Sequence, residues 1–334
     1  EDILHILYIN FLDLISRDND IEVIFDSFGI DAEMTPVLYF ADLFFNNKFK
    51  LNIKKSKSMP RVLQSFFVYE KDIALEMNYV CEGKDYYYSE IFADSVRCEF
   101  THARFIGERS DSFPFCDKMS KKGHRSVYSI FQEHSIKSSS SYFYLDLPLF
   151  FELPTEVIRE VLIDSKIKPQ VTELILRRFS NVYLLSSQPS YSHKVRMIFS
   201  MESFDKLINY TDYFIFSLSM FGEENVTISR KNLIRLLREW VAAVRENNRI
   251  ELILTPQPLM HGQLSYYIKK YYYAIMWRNL PGSTEVLFTE DSYNTQLLYS
   301  IIDDEWSKMK VCIRDKNQVL EHIESIVEWL GETL

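Results

Sequence analysis

From Ser229 to Pro256 the chain reads SRKNLIRLLREWVAAVRENNRIELILTP, and this run restricts the possible folds more than any other. Leu233, Leu236, Leu237, Trp240, Val241 and Val244 fall at i, i+3, i+4, i+7, i+8 and i+11, which puts one apolar stripe on a helix that Ser229 can cap and Asn247-Asn248 can end. Three residues later comes ELILTPQP, a short strand with an apolar centre. A helix feeding directly into a buried strand has to lie on a sheet, so this part of the chain is expected to be layered helix and strand.

The segment that follows, Leu264 to Arg278 (LSYYIKKYYYAIMWR), holds five tyrosines, a tryptophan, two lysines and an arginine. Read at strand period, Tyr267, Lys269, Tyr271, Tyr273, Ile275 and Trp277 share one face, and Tyr266, Ile268, Lys270, Tyr272, Ala274 and Met276 share the other. One row can be core while tyrosine hydroxyls and ammonium groups on the exposed face meet an anionic or planar ligand. The expected ligand-binding residues are therefore Tyr267, Lys269, Lys270, Tyr271, Tyr273 and Trp277, with His261 at the preceding strand end. An ordinary strand with snorkelling lysines accounts for the same residues.

A chain of 334 residues, 47% hydrophobic, can fill about two domains of roughly 150 residues each. SIKSSSS, residues 135–141, is low in complexity and sets the expected boundary, giving a sensor-like domain over 1–140 and an effector domain over 141–334. The fold class expected is α+β, with an antiparallel, strand-rich N-terminal part and a layered C-terminal domain. In the first part, an amphipathic helix carries Ile3, Leu4, Leu7, Phe11, Leu14 and Ile15, IEVIF is a strand, and LYFADLFF (Leu38 to Phe45) is a helix with a wide apolar stripe. Lys48, Lys50, Lys54, Lys55 and Lys57 read as a solvated basic loop, and RVLQSFFVYE, IALEMNYVCE, DYYYSEIF and VRCEFTHARFI as a meander. The segment from Gly107 to Arg125 reads as loop. In the second part, two helices, over TEVIREVLI and from Pro169 to Phe179, form a hairpin, whose acid Glu173 argues against groove reading. VYLLSS, VRMIFS, DYFIFSLSMF and TEVLFT read as strands, and helices follow Asp291 or Ser292 and Asp315.

A net charge of −9 excludes a surface that grips phosphate all over, and leaves only local patches for nucleic acid. Four cysteines without close spacing point to a reducing, cytoplasmic setting, and no run is long and apolar enough to span a bilayer, so no membrane role is expected. Cys81, Cys98, His102, Cys116 and His124 lack paired zinc-ligand spacing, so neither a metal nor another cofactor is expected. The chain lacks the glycine spacing of a nucleotide cradle and a G-x-S-x-G elbow. His261 is followed by Gly262-Gln263-Leu264, not by the x-Lys of a phospholipase-D-type motif.

The order YLDLPLFFELPTEVIREVLI, LLREW leading into RIELILTP, the aromatic stretch and EVLFTED resembles the C-terminal effector region of long helix-turn-helix (XRE-type) transcriptional regulators of low-GC Gram-positive bacteria, over roughly 142–310. The resemblance implies a non-enzymatic ligand-sensing or dimerisation region, a small-molecule or peptide effector, a homodimer, and DNA bound through an upstream domain that the non-methionine start leaves room for. Nothing before Ser141 matches a recognition helix. The alternative is an enzyme of phosphodiester or nucleotide chemistry using His261 and Glu290. A third reading is a protein-interaction module built on the Leu38 to Phe45 stripe.

Overall fold

The computed structural model describes residues 2–27, 40–55, 62–69, 73–80, 86–118, 127–135, 137, 139–186, 194–222, 225–257, 264–280, 283–309 and 312–332. The chain divides into two compact units, one of residues 1–33 and 46–116, the other of 34–45 and 117–334. The second unit thus takes in residues ahead of the serine-rich stretch where the boundary was expected.

In the first unit, helix α1 (Asp2–Ser16) precedes β1 (Ile21–Ser27), which pairs in parallel with β2 (Phe49–Lys55). Of the expected basic loop, Lys50, Lys54 and Lys55 lie on this second strand, Lys48 precedes it, and Lys57 is outside the described residues. Phe49, Leu51 and Ile53 alternate inward and are buried, while Lys50 is exposed and Lys54 reaches Glu108. Strands β3 (Val62–Tyr69), β4 (Ile73–Val80) and β5 (Tyr86–Phe92) form the anticipated antiparallel meander. VRCEFTHARFI is not its fourth strand but part of helix α2 (Ser95–Ser110), because the Asp94 carboxylate accepts the Arg97 N–H at 2.9 Å and starts a helix whose buried contacts, Cys98 and Thr101, are one turn apart. A short β6 (Ser112–Pro114) adds to β2, within the segment expected to be loop.

The second unit is a seven-stranded mixed sheet with helices on both faces. In chain order it contains β7 (Asp117–Lys118), α3 (Val127–Ser135), β8 (Ser141–Leu145), α4 (Thr155–Asp164), α5 (Pro169–Ser186), β9 (Val195–Ser200) and α6 (Met201–Lys206). Next come β10 (Asp212–Phe214), α7 (Phe216–Gly222), β11 (Thr227–Ser229), α8 (Arg230–Glu246) and β12 (Ile250–Thr255). The unit closes with β13 (Leu264–Lys269), β14 (Tyr273–Leu280), β15 (Ser283–Thr289), α9 (Ser292–Lys308) and α10 (Lys316–Glu332). The sheet order is β12-β9-β8-β13-β14-β15-β7, with β8, β9 and β12 parallel and the rest antiparallel. The α+β class is as anticipated.

The helix–strand unit Ser229–Thr255 forms as read, with Leu233, Leu236, Leu237, Trp240, Val241 and Val244 all buried. Burial of such side chains contributes roughly 1.5–3 kcal/mol each, which fixes α8 to the sheet. Three segments depart from expectation. VYLLSS ends α5 up to Ser186, most of DYFIFSLSMF is α7 after a three-residue strand, and Leu43–Phe45 is a single 3-10 turn rather than the end of a long helix. Phe40, Ala41, Leu43, Phe44 and Phe45 are all buried, so among the described residues the proposed docking stripe is core. Gly222 lets α7 lie close on α5, since a Cβ there would meet Val171 Cγ1 and Ile175 Cδ1 at 3.0 Å. Among the described residues no helix is long and apolar enough to cross a membrane.

Candidate functional site

The expected aromatic strand is a hairpin. Lys269 pairs with Tyr273 across a turn of Lys270, Tyr271 and Tyr272, with Tyr271 left-handed at φ 69°. No glycine, asparagine or proline marks that turn, which is why a continuous strand was the natural reading. Tyr267, Tyr273 and Trp277 are core side chains. Tyr267 stacks on Phe143 with ring centroids 4.0 Å apart, Tyr273 meets Tyr267 edge-on at 5.1 Å, and Trp277 stacks on Phe216 at 4.3 Å. Aromatic faces packed in this way are not presented to a ligand.

The remaining predicted residues sit at the turn. Lys269 is buried, and that burial, helped by the charge of Lys137, pushes its ammonium down to about 8. Lys270 lies over the Tyr299 ring at 4.9 Å, and Tyr271 is 49% exposed. His261 is outside the described residues. Glu290, its proposed partner, is exposed just past Thr289, which pairs with Ala274 and so lies at the sheet edge holding the 270–272 turn. The chain enters β13 at the opposite edge, where Leu264 faces Arg278.

That opposite edge carries the stronger candidate. Sheet growth runs from β8 outward to β9 and β12, then returns to the other flank of β8 with β13. In open α/β sheets ligands bind outside the carboxyl ends of the parallel strands. The strand ends here are Leu145, Ser200 and Thr255, and β13 starts beside them. Asp146 follows β8 directly. Its N–H donates to Ser265 Oγ at 3.3 Å, and its Oδ1 accepts from Ser203 Oγ at 3.2 Å. Burial raises its carboxyl above the ordinary range, more than the Ser203 hydrogen bond and the Lys206 charge lower it.

Glu152, on the same β8–α4 connection, accepts the Trp240 indole N–H at 3.0 Å and is likewise raised by burial. Between the two acids Phe150 is left-handed at φ 62° and fully buried, a conformation that a bulky side chain adopts only under constraint. Ser200, the last residue of β9, is fully buried, and its Oγ has no hydrogen-bond partner among the described residues. Thr255 Oγ1 lies 3.1 Å from the Phe199 carbonyl and 2.9 Å from that of Gln257. The edge thus gathers two protonatable carboxyls, an unused hydroxyl donor and, on α6, the Lys206 ammonium, which pairs with Glu202 at 2.7 Å. This is the equipment of acid–base chemistry on an anion.

A second polar cluster lies near the amino ends of the same strands. Arg196 donates to Glu251 at 2.9 Å, to Asp303 at 2.8 Å and to the Tyr142 hydroxyl, which itself donates to Asp303 at 2.5 Å. Burial, with the Asp303 hydrogen bond, drives Tyr142 well above the usual phenol range. Every charged member is engaged by its neighbours, so the cluster ties β8, β9 and β12 to α9. Cys98, Cys116 and Cys312 are free thiols, and among the described residues no group of histidines, cysteines and acids is placed to hold a metal.

Sequence reasoning named His261 on the logic of strand ends but passed over Asp146. The signal was an acid directly after the apolar run SYFYL, at the start of the layered domain.

No family model matches the chain, and no curated protein does. Among solved structures, a phosphatidylserine synthase of Haemophilus influenzae Rd KW20 is similar over 98% of this chain and 91% of its own, at 11% identity and a TM-score of 0.34. Nothing in these comparisons speaks for transcription or DNA binding. The expected assignment to the ligand-sensing region of a helix-turn-helix regulator is corrected accordingly. A likeness this shallow fixes neither fold nor chemistry, so function has to come from the geometry.

Proposed function

We propose that the second unit is an enzyme acting on a phosphodiester- or nucleotide-type substrate at the carboxyl edge of β8, β9 and β12. The observation that carries this reading is Asp146, a carboxyl raised by burial at the end of β8, one position past Leu145 as the unpartnered Ser200 is one past its pair Phe199 on β9. Asp146 is the general acid for the leaving oxygen, the Ser200 Oγ–H steadies a non-bridging oxygen, and Lys206 offsets anionic charge. His261, in the segment that joins Thr255 to Leu264, is assigned the nucleophile or base, and Glu290 is left without a chemical role. The same reading places the enzyme in the cytoplasm, with support from the free thiols of Cys98, Cys116 and Cys312.

The test is turnover of bis(p-nitrophenyl) phosphate and a panel of nucleotide diesters. Asp146→Asn is expected to lower kcat by about 100-fold or more at little change in KM, within the ordinary range for a general acid. Glu290→Gln is expected to match the wild type. A wild type inert on the whole panel, or an Asp146→Asn enzyme of full activity, overturns the proposal.

A further inference from the structure

Helix α2 lies against β3, β4 and β6 and buries Cys98 and Thr101. On the side opposite those two, Val96, Phe100, Ala103 and Gly107 follow at i, i+4, i+7 and i+11, one line along the helix. That line faces solvent. Val96 and Phe100 are 72% and 71% exposed, Ala103 and Gly107 are exposed as well, and Ile106 beside them is 46% exposed. A lone exposed apolar side chain is ordinary, but several in one line mark a contact surface.

Gly107 is not required by the fold of its own chain. It lies within the helix, where glycine is less stable than alanine, and a Cβ there would meet nothing within 4 Å. The face thus has bulk in its amino half and a gap in its carboxyl half, which is the shape that an antiparallel copy of the same helix fills. Centred between Ala103 and Arg104, such a pair sets Ala103 against its counterpart, each Phe100 over Gly107 of the other copy, and Val96 at Ser110. The same register puts Arg97 opposite Asp111, whose carboxylate has no partner among the described residues. Arg97 gives two of its five N–H donors to Glu90, at 2.7 and 2.6 Å, and a guanidinium can bridge two carboxylates. The two Arg104 side chains approach each other on that rim, so charge sets the register and adds little strength.

We propose that the outer face of α2 is a contact between two copies of this chain, paired antiparallel about Ala103 with each Phe100 seated on Gly107 of the other copy. A single helix pair buries less than the roughly 800 Å² per partner of standard interfaces, so the dimer is weak, with a dissociation constant on the order of 10–100 μM. The contact lies in the first unit and is independent of the carboxyl-edge reading.

The experiment is sedimentation equilibrium on the full chain. Phe100→Glu and Gly107→Leu are each expected to weaken the dimer by about tenfold or more. Both positions are exposed, so the urea midpoint of dilute protein is expected to stay unchanged in Phe100→Glu and not to fall in Gly107→Leu. Mixed and oxidised, the Phe100→Cys and Gly107→Cys proteins are expected to cross-link to each other, and each only weakly to itself. A wild type still monomeric at about 0.5 mM, or a dimer indifferent to both bulky substitutions, overturns the proposal. So does a Phe100→Cys protein that couples chiefly to itself, which would make the pair parallel. A lowered midpoint in dilute Phe100→Glu would show that the face is covered within its own chain, and also overturns it.

Discussion

A buried titratable side chain is an energetic cost that a fold keeps only where something uses it. Lys269 and Asp146 are two cases in the second unit, and their pH signatures have opposite sign. Lys269, pushed down to about 8 by burial and by Lys137, binds its proton more weakly in the native state than in the unfolded chain, where lysine titrates near 10.5. The unfolded state therefore holds more protons between those values, and the Lys269 contribution to stability rises as pH climbs from about 8 to about 10.5. Lys269→Met is expected to stabilise the protein at pH 7 by about 1–3 kcal/mol and to remove most of that alkaline gain. Urea unfolding at pH 7 and 9.5 on both proteins measures the difference; an undiminished gain in the variant would contradict it. For Asp146, raised by burial, the native state keeps its proton longer than the unfolded chain does, so its contribution is fully present below the unfolded value near 3.8 and is lost as pH rises through the raised one. Asp146→Asn should then raise the urea midpoint at pH 7 while it depresses turnover, and a lowered midpoint would show that the carboxylate is there for packing.

Elements with a strong local period were legible, and those whose texture conflicts with their contacts were not. The α8–β12 unit could be read from its apolar stripe and caps because helix, loop and strand all agree with burial. Helix α2 could not. Val96 and Phe100 look like strand residues but are 72% and 71% exposed, and the Asp94 cap with the buried Cys98 and Thr101 decides the conformation. The aromatic hairpin shows the same limit. Tyr267 stacks on Phe143 of β8 and meets Tyr273 edge-on across the hairpin, and Trp277 stacks on Phe216 of α7, so packing holds both strands in place, the turn is made without its usual residues and Tyr271 takes the strain. Tyr271→Gly should relieve it and raise stability by about 0.5–1 kcal/mol, a gain reduced by glycine's greater freedom when unfolded. A loss of stability in denaturant titration would mean that the Tyr271 ring, 5.2 Å from the Lys270 ammonium, holds the turn closed.

On the scale of the molecule, the α+β class was readable from alternating helix and strand periods, but the use of the sheet was not, because strand order is a long-range property that no local pattern encodes. The reversal at β8 turns an unremarked Asp146 into a strand-end acid, and the hairpin geometry sends Glu290 to the other edge. The central claim is that the carboxyl edge is a reaction centre with Asp146 as its acid. Its most direct test is the pH dependence of kcat on a phosphodiester substrate. The account predicts an alkaline limb in the wild type, where activity falls as Asp146 loses its proton above the ordinary carboxylate range, and no such limb in the residual activity of Asp146→Asn. A wild type without turnover, or an alkaline limb that persists unchanged in the variant, would contradict it.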